Sequence, residues 1–249
     1  MDLALSQKII DDLGVPQIVD YRKKLPQNKN YTWAQLAGYR NASDLDVIGL
    51  HHDAYPKQYR LNKSPFEMMS EIAEDHINST RYEPKGEGGF PYHIYIMRGT
   101  AYYCNEVSWR TYGIADHNGH VVHVCMHGDY VKFDQLTEPD RRCLIAVCLT
   151  LMDQGSLPNL KQIKGHCELS STDCPGYNYA GIRNDVMTAR NRLTQSSSWN
   201  SKLAKISELG NQYNYMTNLI RAGENDGNAQ WSMNMLLEVH AVLKERGLL

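Results

Sequence analysis

Two adjacent histidines, His51 and His52, a third at His166 and a cysteine at Cys174 are the residues whose types and spacing could do chemistry together. Imidazole nitrogen and thiolate sulfur are donors that zinc prefers, arranged as a tetrahedron. Three protein donors leave the fourth position to water, the arrangement of a hydrolytic rather than a structural centre. Water in that position ionises near pH ~7 while the ion polarises a carbonyl, so the chemistry on offer is hydrolysis. A histidine pair alone is more often a surface or core feature. The segment Gly165–Gly176, GHCELSSTDCPG, is what sets this pair apart.

Those residues need elements to hold them. Asp46–Leu50 (DVIGL) is a short apolar run that reads as a buried strand delivering His51 and His52 at its end. Ser64 caps a helix with Pro65 in its first turn and Glu67 at the capping-box position; Phe66, Met69, Ile72, Ala73, His76 and Ile77 recur at helical spacing. A glycine- and proline-rich loop, EPKGEGGFP, precedes a strand at Tyr92–Met97. Arg98-Gly99-Thr100 turns into a second strand, AYYCNEV, and Val121–Met126 is a third. Thr137 starts a further helix, with Pro139 in its first turn and Asp140 at the capping-box position, running to about Asp153. A last helix of this part is expected around Asp185–Leu193, and a short helical piece at Ile9–Leu13. Interleaved strands and helices predict an α/β domain over residues 1–193, a mixed sheet flanked by helices with residues 1–40 packed on it as an extension. Residues 194–201 (TQSSSWNS) read as a polar linker and 202–249 as a helical region. There Met233, Leu236, Leu237, His240 and Leu243 make one apolar stripe and Trp231, Met235, Val239 and Val242 a second, so this helix needs burial on more than one side, against the α/β domain, its sister helix or another subunit.

At 249 residues and 42% hydrophobic, the chain is long enough for one sizeable domain plus an appendage. A net charge of -2 gives no reason to expect nucleic acid or an anionic membrane as partner. No stretch approaches the ~20 apolar residues of a membrane span. Residues 1–12 lack a basic start and an apolar core, which reads as synthesis in the cytoplasm without a secretory signal. In that compartment the six cysteines are expected to be reduced, with Cys143 and Cys148 as small core residues.

From about Asp20 to Leu193 the ordered series DYRKKLP, VIGLHHDA, FPYHIYI, RGTAYY, NEVSW, VVHVCMHGD and GHCELSSTDCPG resembles the zinc-dependent peptidoglycan amidases, the family of the bacteriophage lysozyme-type amidases and the peptidoglycan recognition proteins. Gly-His followed two residues on by an acidic residue, then Thr-x-Cys-Pro-Gly, is its most specific motif. The resemblance implies zinc held by His51, His166 and Cys174. It also implies a tyrosine, Tyr92, over the reacting water, and Thr172 as a transition-state donor. The implied activity is hydrolysis of the amide between N-acetylmuramic acid and L-alanine in peptidoglycan, expected here of a phage or prophage endolysin acting on the wall after release. The alternatives are a cytoplasmic muropeptide-recycling amidase, a non-catalytic peptidoglycan-binding protein, and a zinc peptidase of other specificity.

Strand alternation turns His52 away from His51, which makes it a structural neighbour rather than a ligand. Glu106 is either a proton-donating carboxylate or a surface strand residue, and Glu168 an anchor of the ligand loop. His117, His120, His123 and His127 invite a second metal, with His123, Cys125 and His127 on one strand face, but a central strand makes packing the stronger reading. Arg110, where the family carries a cleft histidine, and Cys167, where it often carries arginine, put substrate contacts in doubt and leave the ligand set intact.

Overall fold

The computed structural model describes residues 2–194 together with 241, 244 and 245. The chain divides into two compact units, Met1–Arg190 and Asn191–Leu249. In the second, the described residues 241, 244 and 245 are helical and exposed. The expected linker and both apolar stripes lie outside the described residues.

The first unit is built on one six-stranded sheet. Its strands are β1 (Val19–Asp20), β2 (Val47–His52), β3 (Ile94–Met97), β4 (Thr100–Tyr103), β5 (Val121–Met126) and β6 (Gln162–Gly165), in the order β1-β4-β3-β5-β2-β6. The β3–β4 hairpin is antiparallel and every other pairing is parallel. The helices are α1 (Gln7–Leu13), α2 (Trp33–Ala37), α3 (Pro65–Asn78), α4 (Glu138–Asp153) and α5 over 179–194. Parallel strands must be buried on both faces, and β5, whose six residues are all buried, shows it. This is the mixed α/β sheet that the sequence predicts.

α3 starts as its sequence dictates: Ser64 Oγ accepts from Glu67 N while the Glu67 carboxylate accepts from Ser64 N. Met68, Met69, Ile72 and Ala73 then pack with Tyr95, Met97, Tyr102 and Cys125 of the sheet. Phe66, expected in that stripe, is 41% exposed: it stands in the first turn, edge to face with Tyr21, and Met68 takes the inward place. Against β3, β4 and α1 lies α4, in which Cys143, Leu144, Val147, Cys148 and Leu151 are fully buried. All six cysteines are unpaired thiols. Thr137 caps α4 as expected, but Asp140 does not reciprocate. Its carboxylate instead accepts from Gly99 N (2.7 Å) at the β3–β4 turn and from Lys57 Nζ (2.9 Å). No helix among the described residues is long and apolar enough to cross a membrane.

Candidate metal centre and cleft

Strand register brings the first two candidate ligands together. β2 and β6 run parallel with Leu50 opposite Gly165, so the next residue of each chain segment, His51 and His166, emerges at the same end of neighbouring strands. Gly165 is required there by space: a Cβ on it would meet the Tyr179 ring at 2.8 Å and Pro175 at 3.1 Å. After His166 the chain makes a tight turn, with Leu169 N and Ser170 N both donating to His166 O. It returns so that Cys167 N donates to Cys174 O at 2.7 Å. Glu168 fixes this loop, accepting from Gly165 N at 2.9 Å and from Arg183 at 2.7 Å, the anchoring role expected of it.

The result is a cluster of His51, His166 and Cys174 whose donor atoms all lie within 4.8 Å of one another, and which could hold a metal ion. Tetrahedral zinc with ~2.3 Å bonds to sulfur and ~2.0 Å to nitrogen places sulfur and nitrogen about 3.5 Å apart and the two nitrogens about 3.3 Å apart. Cys174 Sγ and His51 Nδ1 stand at 4.0 Å and every pair within 4.8 Å, so side-chain adjustments of about 1 Å close the site. The donor set also fits chemically. Burial, reinforced by neighbouring histidines, pushes the His51 imidazole well below its ordinary pKa. Burial and then His52 also lower that of His166, so both rings are neutral donors at pH 7. Burial pushes the Cys174 thiol up to about 12, partly offset by the His52 N–H that points at its sulfur. A cation between the three reverses that preference and draws the thiolate out.

His51 and Cys174 are buried; His166 is half-buried and opens onto a cleft of about 450 Å³. Tyr82, Glu83, Tyr112, Asn118 and Ser170 also line it. None of these five was singled out by sequence. They come from three separated loops, and no local pattern marks loops that converge only through the fold. Within the wall, Tyr112 Oη donates to Glu83 at 2.9 Å.

Tyr92 is half-buried with its ring 5.1 Å from that of His51, and burial raises its pKa well above the usual phenol value, so its hydroxyl stays a donor. Thr172 Oγ1 accepts from Cys174 N at 3.2 Å, which leaves its own O–H to donate elsewhere. His52 accepts from Tyr130 N through Nδ1 and is not in the metal cluster. Glu106 pairs with Arg22 and accepts from Tyr103 Oη, which occupies its carboxylate in structural contacts. The four histidines that invited a second metal part company. His117 bonds His120, His120 bonds Asp46, and His127 bonds Asp53, while His123 lies against His51. Among the described residues the group able to share an ion is His51, His166 and Cys174.

The described geometry can be set beside known proteins. Residues 41–177 match the family model "Amidase_2: N-acetylmuramoyl-L-alanine amidase". Among solved structures, the chain is similar to an endolysin N-acetylmuramoyl-L-alanine amidase, LysCS, from Clostridium intestinale URNW. Identity is 23%, the match covers 69% of this chain and 96% of that one, and the TM-score is 0.50. The amidase LysC from the same organism is 24% identical over 69% and 97%, with a TM-score of 0.50. Bumblebee PGRP-SA is 14% identical over 65% and 89%, with a TM-score of 0.51. No curated protein matches. The family model spans more than half of the chain and takes in all three clustered donors, and by that measure the chain belongs to the N-acetylmuramoyl-L-alanine amidase family.

Proposed function

We propose that this protein binds zinc through His51, His166 and Cys174 and hydrolyses the amide between N-acetylmuramic acid and L-alanine in peptidoglycan, as an endolysin. The observation that carries the reading is the three-donor cluster, complete and opening through His166 onto a cleft, within a family whose substrate is peptidoglycan. A zinc ion held there supplies Lewis acidity toward the scissile carbonyl and lowers the pKa of a water to about 7.

The chain's own residues supply the rest. Tyr92, protonated and facing His51, donates a hydrogen bond that orients the carbonyl or the attacking water. Thr172, its oxygen already engaged by Cys174 N, donates its hydroxyl hydrogen to the oxyanion as charge develops. The cleft beside His166 receives the stem peptide and the muramic acid, with Glu83, Tyr112 and Asn118 as polar contacts. The endolysin role is supported by LysCS, named an endolysin, among proteins of the same fold. In this role the enzyme acts on the wall after release from the cytoplasm of an infected bacterium.

The test is mass spectrometry of purified walls digested with and without a chelator. Chelator-sensitive release of peptides that begin with alanine, with glycan strands left whole, is the expected result. New ends within the sugar or the peptide would refute the bond assignment. Cleavage confined to soluble muropeptides would point to a recycling enzyme, and binding without cleavage to a recognition protein.

A further inference from the structure

We propose that His123 is a positioning residue for the metal ligand His51: its Nδ1 accepts the hydrogen bond of His51 Nε2–H and so commits His51 to bind the ion through Nδ1. This rests on the zinc reading of the cluster.

The two rings meet edge to face, with His51 Nε2 and His123 Nδ1 3.1 Å apart in the buried interior. A neutral imidazole carries one N–H, so only two pairings make this hydrogen bond. In one, His123 Nδ1–H donates to His51 Nε2. That puts the remaining proton of His51 on Nδ1, aimed toward Cys174, and leaves no lone pair for an ion. In the other, His51 Nε2–H donates to His123 Nδ1, and the lone pair of His51 Nδ1 faces Cys174 Sγ, 4.0 Å away. Only the second is compatible with a metal, and a partner on the far nitrogen of a ligating histidine is the usual device for fixing its tautomer and orientation.

The second pairing places the proton of His123 on Nε2, which is buried and has no hydrogen-bond partner. Packing alone does not explain a histidine here, since an apolar side chain would fill the space without a stranded N–H. The ring is also held. It stacks on His93 at 5.3 Å, and a Cβ on Gly113 would stand 2.7–2.9 Å from its atoms. Its backbone is fixed by His93 N donating to His123 O and by His123 N donating to His93 Nδ1. Gly113 at the same time lines the cleft, so one backbone position separates substrate space from the partner of a ligand.

The test measures zinc affinity by competition with a chromophoric chelator for the wild type, His123→Leu, His123→Asn and Gly113→Ala. His123→Leu is expected to bind zinc about 10- to 100-fold more weakly. Its zinc-free melting temperature should stay equal to or above that of the wild type, which a merely structural role would not allow. His123→Asn, whose amide oxygen replaces the acceptor, should recover most of the affinity. Gly113→Ala, which displaces the intact ring, should lose it. Unchanged affinity in His123→Leu, or equal loss in the Leu and Asn variants, would overturn the proposal. A wild type that binds no zinc would instead sink the metal reading, and this proposal with it. Should the variants fail to fold, long-range nitrogen–proton NMR of the zinc-loaded wild type decides: the proton is expected on His123 Nε2, and finding it on Nδ1 overturns the assignment.

Discussion

His166 belongs both to the ligand cluster and to the cleft wall, so its loss should be felt twice. His166→Ala is expected to abolish wall hydrolysis and lower bound zinc while the far-ultraviolet circular dichroism stays close to wild type; an active, zinc-replete variant would overturn the ligand assignment. Thr172 separates chemistry from binding. Thr172→Ala should reduce kcat on the order of tenfold or more with zinc content unchanged, since it removes a donor to the oxyanion and no ligand. Both imidazoles are already neutral at pH 7, whereas the Cys174 thiol titrates at about 12 without the ion, so binding zinc expels one proton. The bound state holds fewer protons, and affinity therefore rises as pH rises, about tenfold per unit between roughly pH 7 and 9; isothermal titration in buffers of different ionisation heat reads that proton directly. At this scale the cluster of His51, His166 and Cys174 was legible through the resemblance carried by GHCELSSTDCPG, since spacing alone does not bring three separated donors together. Glu106 was not, since a carboxylate's role depends on its neighbours, and Arg22 lies far from it in sequence. The contact of His123 with His51 was equally hidden, because it arises from β2 and β5 lying side by side.

At the scale of elements, α4 shows how one residue serves a neighbour rather than its own helix. Asp140, placed where a capping box would use it, ties the β3–β4 turn and Lys57 to the helix start. Asp140→Ala should therefore lower the unfolding free energy by about 2–3 kcal/mol, since it leaves the buried Gly99 N–H without a partner. Thr137→Ala should cost only about 1 kcal/mol, the loss of an ordinary cap. Urea denaturation of the two variants separates the roles, and equal losses would mean that Asp140 contributes no more than a cap. The long amphipathic or apolar elements, α3, α4, β2 and β5, were readable because period and caps agree. β6 was missed because only Ile163 and Gly165 of its four residues are buried, too short a signal for alternation. α2 was missed although its start is written in Thr32 and Gln35, whose side chains form a capping box around a five-residue helix.

For the whole molecule, the first unit contains, among the described residues, the metal cluster and the cleft lining, and the family match ends within it. A chain ended after residue 194 is expected to keep zinc binding and chelator-sensitive cleavage of soluble muropeptides. Comparing its activity on intact walls and its sedimentation with those of the full chain then tests whether residues 195–249 bind the wall or join two copies. Loss of cleavage on soluble substrate would place part of the active centre in that region. The position of β6 has a further consequence. Among the described residues it is an edge strand of four residues, hydrogen-bonded to β2, and both candidate ligands that follow it in sequence cluster with the candidate on β2. A metal held by residues 51, 166 and 174 would work as a clasp between the sheet's margin and its interior, closing a chain loop whose ends are remote in sequence. Stripping the ion should let the amides of Gln162–Gly165 exchange with solvent much sooner while those of β5 keep their protection, so the margin would fray before the sheet as a whole gives way.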